Sequence, residues 1–295
     1  MRFSIPTRKT KVLIQGITHS SAAVHVEKAL VHDTQIVGGI SHEKGLKEFL
    51  SVPIFPSARS AVRKTKPDVC VVFSSPARVY KDVAEVAATK VPLIIVTTER
   101  VPVQEALRIR QLGEKYRVSI LGPASPGILV PEACVAGNMP AHLFKPGEVG
   151  IVARSSSLSY EAVQQLSAVG LGVSGCVALG TSPILGCGFV RPLKALLADP
   201  KTKAVLVIGE VEGSFEMRLA EFYGRQKRKK PLFAYIAGKT LPRPAVVEML
   251  GTHFSNPADW IRWKHQALRK AGAQIIREPD LIGQVMQAYF AGEKE

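Results

Sequence analysis

Cysteine is scarce in this sequence and is not arranged for metal binding or for disulfide formation. The four cysteines, Cys70, Cys134, Cys176 and Cys187, lie in apolar surroundings, and no two of them have CxxC spacing. Structural zinc sites and disulfide frameworks both need characteristic cysteine spacings. We therefore expect no metal site, no disulfide and a reducing compartment.

Long apolar runs are also absent. No run reaches the length of a membrane span, and the segment from Met1 to Pro6 lacks the apolar stretch of a secretory signal. We expect a soluble, intracellular protein with no membrane partner. Basic residues occur near the start with no acidic residue before Glu27, as at the end of a mitochondrial transit segment. This favours the mitochondrial matrix, with a bacterial-type cytoplasm as the alternative.

Acidic residues are few compared with basic ones. Aspartate and glutamate number 24 against 39 lysines and arginines, which gives a net charge of +15. A field of this sign attracts anions, whether phosphorylated small molecules, acidic proteins or RNA, and the charge alone does not choose among them.

Two clusters of basic residues are candidate RNA-binding patches. The first is a run that contains Arg225, Lys227, Arg228, Lys229 and Lys230. The second combines charge with stacking surface in one helical segment and contains Arg262, Lys264, Arg269, Lys270, Trp260 and Trp263. The alternative for both is a solvated basic face with two partly buried tryptophans.

Short β-branched runs alternate with longer helical patterns along most of the chain. The runs begin at residues 11, 35, 69, 93 and 118, and then at residues 149, 177, 204, 232 and 274. Between them, segments such as Tyr80 to Thr89 and Val103 to Tyr116 have apolar positions at helical spacing. Buried parallel strands that alternate with helices are typical of doubly wound sheets. The pattern predicts an α/β fold.

A proline-rich stretch interrupts this alternation between Gly122 and Gly147. Five prolines are spread through it, and such a stretch does not sustain a helix or a central strand. We interpret residues 122–147 as a linker. This predicts a first domain over residues 1–121 and a second α/β domain over residues 148–295.

The first strand runs into a loop that is suited to binding phosphate. In the segment from Gly16 to Ser21, hydroxyl groups precede a helical pattern, and an open α/β sheet presents helix amides to phosphate at this point. The GxGxxG fingerprint is absent, and no acid follows the second strand at Gly38-Gly39 to hold a ribose, so NAD binding is disfavoured. The alternative is a plain strand-to-helix turn with a serine cap.

Segments along residues 10 to 290 resemble the α subunit of succinyl-CoA synthetase, and they occur in the order of that family. They are KVLIQGIT (11–18), VGGI (37–40), TTERVP (97–102), GPASPG (122–127), KPGEVGIV (145–152), SYEA (159–162), IGE (208–210) and YIAG (235–238). This resemblance implies a Rossmann-like CoA-binding domain followed by a flavodoxin-like ligase domain.

The resemblance also implies a site and a partner. In this family, phosphate passes from a nucleotide to a histidine and then to succinate before CoA attacks, and an ATP-grasp β subunit completes the enzyme. Glu210 would orient the phosphorylated histidine by fixing its tautomer, and Tyr160 would lie near the acyl substrate. An active member would be an acid–thiol ligase that forms ADP or GDP, with no covalently bound cofactor and no metal ligands expected from this chain. The implied CoA contacts are Thr18, Ser20, Ser21, Lys44, Thr97, Thr98 and Glu99.

The sequence departs from the family at the reaction centre. A gapless pairing between residues 235–238 and 267–272 puts Met249 where the family has its phosphorylated histidine, and a thioether does not accept phosphate in this way. His253 is the nearest alternative acceptor and requires a shifted loop. Ser156 replaces a phosphate-loop glycine, and His19 replaces a glycine of the first loop.

Three hypotheses follow. The first is an α-subunit-like protein that binds CoA or a nucleotide and pairs with a β-type subunit, with its ligase chemistry in doubt. The second is a catalytically inactive structural component of a basic assembly, such as a mitochondrial ribonucleoprotein, because the charge is high and the reaction-centre motifs are altered. The third is a ligase that uses His253.

Overall fold

Buried β-branched strands form a parallel sheet in each of two units. The computed structural model describes residues 3–43, 45–227, 230–239, 245–247, 252–254 and 257–292. The first unit comprises Met1–Ala141 and Leu179–Cys187, and the second comprises His142–Ala178 and Gly188–Glu295. In the described part of the chain, no helix has both the length and the apolar character needed to cross a membrane.

The first unit is built on a seven-stranded sheet with the order β3-β4-β2-β1-β5-β6-β7. Its strands are β1 (Val12–Gln15), β2 (Ile36–Ile40), β3 (Glu48–Phe49), β4 (Val52–Phe55), β5 (Val69–Val72), β6 (Leu93–Val96) and β7 (Ser119–Leu121). Its helices are α1 (Ser20–Val31), α2 (Ala58–Thr65), α3 (Val79–Ala88) and α4 (Val103–Tyr116). The strands are parallel apart from the β3–β4 hairpin at one edge, and the predicted bounds of α4 are those observed.

The proline-rich segment contains a β-hairpin that sequence analysis did not predict. Its strands are β8 (Gly127–Val130) and β9 (Cys134–Gly137), which pair antiparallel. The prolines precede β8, lie in the turn at Pro131, or follow β9, so none of them removes a donor from the ladder. Internal contacts group residues 122–141 with the first unit, whereas we had interpreted this stretch as a linker.

The second unit contains five parallel strands in the order β16-β13-β12-β10-β11. The strands of this unit are β10 (Pro146–Ala153), β11 (Val173–Ala178), β12 (Ala204–Glu210), β13 (Leu232–Ala237), a separate antiparallel pair of β14 (Ala245–Val247) and β15 (Thr252–Phe254), and β16 (Gln274–Ile275). Its helices are α5 (Ser156–Ala168), α6 (Val190–Ala198), α7 (Phe215–Gly224), α8 (Pro257–Lys270) and α9 (Ile282–Phe290). If these five strands are numbered along the chain and the sheet is read from β11 to β16, their order is 2-1-3-4-5, as in flavodoxin-like folds.

Charged side chains are buried together at the carboxyl ends of β10 and β12. Arg154, which is 0% exposed, places Nε 3.4 Å from Oε2 of Glu210 and Nη2 3.7 Å from Oε2 of Glu212. Lys264 of α8 is 1% exposed, and its Nζ lies 2.7 Å from Oε2 of Glu216. The same ammonium donates to the backbone oxygens of Glu210 and Glu212, at 2.6 and 3.0 Å. These five residues, named here the buried ion network, join the strand ends to α7 and α8.

The burial of Lys264 corrects its assignment to a basic surface. Ile261 and Leu268, three residues before it and four residues after it, are core residues of the same helix. Positions with this spacing share one face of a helix, so Lys264 points inward with them. It therefore contributes no exposed charge to the patch around Trp260 and Trp263.

Gly39 lies where a side chain would collide with the core. A Cβ atom built on Gly39 would lie 2.6 Å from both Cδ1 and Cγ2 of Ile17, which is fully buried. We expect Gly39→Ala to lower the free energy of unfolding by about 1–3 kcal/mol, because overpacking forces neighbouring atoms to move. Urea unfolding measures this cost.

Two further variants test this explanation. The cost of Gly39→Ala should shrink in an Ile17→Ala background, since that change removes the two nearest atoms. Gly224→Ala is the matched control, because its added Cβ would meet Ala271 at 3.5 Å, an ordinary contact. An equal cost of Gly39→Ala in both backgrounds would contradict the steric explanation.

Removal of Arg154 should destabilise the second unit in a pH-dependent way. We expect Arg154→Met to cost about 3–5 kcal/mol near neutral pH, because it leaves buried carboxylates without their cation. Loss of the cation raises the pKa of Glu210 further in the folded state, so folded protein retains a proton that unfolded protein has released. The deficit should therefore grow as pH rises from about 5 to 8. Urea unfolding at several pH values measures it.

Arg110→Met is the control for this experiment. Arg110 makes an exposed ion pair with Glu114, at 3.6 Å, and we expect its loss to cost less than about 1 kcal/mol with little pH dependence. A deficit for Arg154→Met that is equally small, or that shrinks as pH rises, would refute the proposed role of this arginine.

Candidate functional site

The loop after β1 lies at the point where the strand order of the first sheet reverses. β1 pairs with β2 on one side and with β5 on the other, both in parallel. The helices that follow β1 and β5 therefore cover opposite faces of the sheet, which leaves a crevice at the carboxyl ends of the strands. The predicted phosphate-binding loop occupies this position.

Strand register brings several of the predicted site segments to the same level. Gln15, the last residue of β1, pairs with Ile40 of β2 and with Val72 of β5, and Val72 pairs with Val96 of β6. The loops that begin at residues 16, 41, 73 and 97 therefore leave one sheet edge side by side. Their relative placement depends on the strand pairing and not on their separation along the chain.

Gly16 fixes the path of the first loop. Its φ angle is +74°, and a Cβ atom at this residue would lie 2.0 Å from the carbonyl oxygen of Phe73. A non-glycine residue would be strained by the φ angle and would also collide with the backbone after β5. The glycine thus allows the chain to turn tightly into α1.

The amino end of α1 carries hydroxyl groups and no acidic residue. His19 is the N-cap: its Nδ1 accepts from the backbone N–H of Ser21 at 3.3 Å and lies 2.7 Å from the Oγ of Ser21. Ser20 and Ser21 form the exposed start of the helix. Because the first turn has no carboxylate, the positive end of the helix dipole is available to an anion.

The predicted threonines hold the neighbouring loops together. The Oγ1 of Thr18 lies 3.0 Å from the Oγ of Ser41, which joins the loops after β1 and β2. Thr97 donates to the carbonyl oxygen of Val72 at 2.9 Å, and Thr98 donates to that of Ser74 at 2.8 Å. The hydroxyl protons of Thr97 and Thr98 are used within the protein, and all three threonines shape the crevice.

The two remaining predicted CoA contacts are Glu99 and Lys44. Glu99 is exposed in the loop after β6. Lys44 lies outside the described residues. We retain the assignment of these two residues to a CoA site as a prediction.

Asp82 was missed by sequence analysis, although it contributes to the same edge. This buried carboxylate of α3 accepts a hydrogen bond from the Oγ of Ser74 and lies 3.4 Å from Nη2 of Arg78. The Nε2 of His42 is 3.9 Å away. Asp82 thus links the loops after β2 and β5. The sequence signal that could have identified it is an acidic residue in the first turn of a helix that follows a buried strand.

The donor set of the crevice fits a phosphate-bearing ligand such as CoA. It combines a glycine turn that a side chain would block, exposed serine hydroxyls and a helix amino end without acidic residues. Backbone and hydroxyl donors of this kind bind phosphate without a metal ligand set.

The second unit presents a comparable turn between β10 and α5. Ser155 is the N-cap of α5 and accepts from the backbone N–H of Leu158 at 3.4 Å, and its Oγ lies 3.2 Å from that of Ser157. Further along α5, the ring of Tyr160 packs edge-on against Phe144 with centroids 6.3 Å apart. Burial raises the pKa of Tyr160 to about 12. A packing role explains these contacts of Tyr160, and its role near an acyl substrate stays a prediction.

Glu210 belongs to the buried ion network. Burial raises the pKa of its carboxyl group, and the nearby Arg154 guanidinium opposes this shift. The expected orientation of a histidine by Glu210 stays a prediction. The backbone of His253 pairs with Val246 in the β14–β15 hairpin, and Met249 lies outside the described residues.

Two residues of the predicted basic run, Arg225 and Lys230, make contacts within the protein. Lys230 donates to the backbone oxygens of Leu196, at 3.4 Å, and Asp199, and Arg225 lies 2.6 Å from the carboxylate of Glu221. Lys227 is exposed, and Arg228 and Lys229 lie outside the described residues. Among the described members of this run, Lys227 is the one best placed to contact an external polyanion.

Two domain families match the chain. The CoA binding domain matches residues 7–100, and the succinyl-CoA ligase like flavodoxin domain matches residues 146–289. The predicted fold class and the predicted order of the two folds are thereby confirmed.

The chain also aligns with curated relatives along almost its whole length. The α subunit of the ADP-forming succinate–CoA ligase of Methanothermobacter thermautotrophicus is 34% identical over 92% of this chain and 92% of that protein. The corresponding subunit of Aquifex aeolicus is 33% identical over 95% of this chain and 92% of that protein. The malate–CoA ligase α subunit of Methylorubrum extorquens is 31% identical over 96% and 97%, respectively.

Solved structures show the same fold at lower identity. An ATP citrate lyase of Methanosaeta concilii, in complex with (3S)-citryl-CoA, superposes with a TM-score of 0.85 at 21% identity, over 97% of this chain and 50% of that chain. The acetyl-coenzyme A synthetase 1 of Ca. Korarchaeum cryptofilum gives 0.74 at 17% identity, over 92% and 59%. This chain therefore spans only 50–59% of those solved chains. From its two domain matches and its full-length relatives, the chain belongs to the succinate–CoA ligase α-subunit family.

Proposed function

We propose that this chain is a CoA-binding α-type subunit that pairs with a β-type, ATP-grasp subunit and does not itself carry the phosphohistidine step. The observation that carries the CoA assignment is the amino end of α1 at the reversal point of the first sheet. There, Gly16 turns the chain tightly and α1 begins with two exposed serines and no acid. The names of the relatives support the pairing, because each is an α subunit of a CoA ligase.

In this proposal, the first unit binds the phosphates of CoA and positions its chain. The amides and hydroxyls at the start of α1 stabilise the phosphate charge. The hydrogen bonds of Thr18, Thr97 and Thr98 keep the surrounding loops in place, so the site is formed before the ligand arrives. CoA supplies the thiol that attacks an activated acyl group.

A phosphohistidine step would need a histidine at the acceptor position of this family. The gapless pairing with the family puts Met249, whose thioether has no nucleophilic nitrogen, at that position, and Ser156 stands where the family's phosphate loop has a glycine. In the structure, the serines of that loop bond to one another and to the amino end of α5. Such an α-type subunit would bind CoA for a partner, or would regulate that partner, without transferring phosphate.

A second candidate function is a structural role in a basic assembly, such as a mitochondrial ribonucleoprotein. The net charge of +15 favours it, since a charge of this size attracts polyanions. The candidate predicts an RNA affinity that falls steeply with salt, whereas a CoA-binding subunit needs no such affinity. Purification under native conditions separates the two, because it recovers either a β-type ligase subunit or a large assembly.

Ser21→Glu should weaken CoA binding without destabilising the protein. A carboxylate in the first turn of α1 interacts favourably with the helix dipole, so the melting temperature without ligand should stay the same or rise. The same charge repels the CoA phosphates, so we expect Kd to increase at least about tenfold. Isothermal titration and thermal unfolding with and without CoA give both quantities.

Ser157→Glu is the matched control. Ser157 is likewise the exposed second residue of a helix, and it bonds to the N-cap residue as Ser21 does. Its substitution should leave CoA affinity unchanged. Absence of CoA binding to the unmodified protein at millimolar concentration, or equal losses in both variants, would rule out the α1 site.

This chain should accept no phosphate from a nucleotide. We expect no acid-labile label in this chain when it is incubated, together with its co-purified β-type subunit, with γ-labelled ATP or GTP. A catalytically active family member labelled in parallel provides the positive control. An acid-labile label that disappears in His253→Asn would show that the histidine loop is shifted and that the ligase chemistry is retained.

A further inference from the structure

A cavity beside α8, in the second unit, has four cationic side chains among its eight lining residues. Its volume is about 700 Å³, which is within the usual range for small-molecule pockets of about 300–1,000 Å³. Its lining residues, all in the second unit, are Lys239, Ala258, Ile261, Arg262, His265, Gln266, Arg269 and Arg277.

Three elements bring these residues together. Lys239 follows β13 and Arg277 follows β16, and these two strands are parallel neighbours, so both residues leave the same sheet edge. On α8, Arg262, His265 and Arg269 lie three and four residues apart and therefore share one face of the helix. The cavity is thus at the carboxyl end of the sheet, where open α/β sheets bind ligands.

Part of this positive charge is not neutralised by nearby carboxylates. Arg262 pairs with Asp259 at 2.9 Å, and Lys239 pairs with Glu278. Arg269 and Arg277 are exposed and have no carboxylate partner within the described part of the chain. Among the described residues, the cavity wall therefore carries a net positive charge.

His265 also lines the cavity, and one of its ring nitrogens lacks a hydrogen-bond partner in the part of the chain that the structure describes. Its Nε2 atom is buried and has no hydrogen-bond partner among the described residues. Burial lowers the pKa of His265, and the charges of Arg269 and Lys239 lower it further, which favours the neutral ring. His265 lines the cavity, and a neutral imidazole offers one donor and one acceptor to a ligand.

We infer that this cavity binds a small molecule with two or more linked phosphate groups, such as a nucleoside diphosphate. Guanidinium groups match phosphate oxygens in a two-pronged geometry, and Arg269 and Arg277 are available for this purpose. Ile261 and Ala258 supply an apolar floor for the part of the ligand that carries no charge. Nothing in this inference depends on CoA binding by α1.

Isothermal titration of the full chain with inorganic tripolyphosphate and with ADP tests the inference. We expect both probes to bind, with an affinity that falls as salt rises. Arg269→Gln and Arg277→Gln should each weaken binding about tenfold or more, since each removes a charged hydrogen-bonding group. Arg63→Gln is the matched control, because Arg63 is an exposed arginine in the last turn of α2, as Arg269 is in the last turn of α8.

The possible outcomes separate this inference from the proposed function. The titrations are repeated in Ser21→Glu, which disables the α1 site, and binding to the cavity should persist there. Unfolding midpoints of the Arg269 and Arg277 variants close to that of Arg63→Gln would show that the fold is intact. Absence of heat with both probes, equal affinity in all the arginine variants, or binding of single-stranded RNA without binding of tripolyphosphate would each overturn the inference.

Discussion

The parallel pairing of β1 with a strand on each side is the constraint on which the candidate CoA site depends. With β2 on one side and β5 on the other, the chain must cross to opposite faces of the sheet, and the loop after β1 is left at the dividing line. The register places the neighbouring loops at the same level. Gly16 then allows this loop to pack against the carbonyl oxygen of Phe73, so the start of α1 faces the crevice.

The two units use the carboxyl edges of their sheets in different ways. The first unit presents two exposed serines and a helix amino end without an acidic residue, and these groups can bind an anion. In the second unit, Arg154 and Lys264 are buried against three glutamates, so most of this charge is already paired within the fold. Buried charges of this kind are costly to expose or to leave unpaired. Beside α8, by contrast, Arg269 and Arg277 are exposed and have no carboxylate partner among the described residues.

Sequence analysis predicted the regular elements well and the side-chain environments less well. The bounds of α4 were predicted because its apolar residues recur at helical spacing, and β6 because it is a short apolar run. The β8–β9 hairpin was missed because five prolines suggested an irregular linker, although the prolines lie outside the paired positions. Lys264 was assigned to a surface patch on its charge, although its spacing from Ile261 and Leu268 indicated the inward face of α8.

By itself, the sequence determined the alternation of strands and helices, a loop with hydroxyl groups after β1, and the resemblance to a family that the comparisons then confirmed. These features depend on local periodicity and residue identity. Only the tertiary structure decided that Asp82 links two loops of the first sheet, that Lys264 pairs with Glu216, and that Lys239, Arg269 and Arg277 line one cavity. Each of these arrangements joins residues from different elements, and strand order and helix packing, which no local pattern contains, determine which side chains meet.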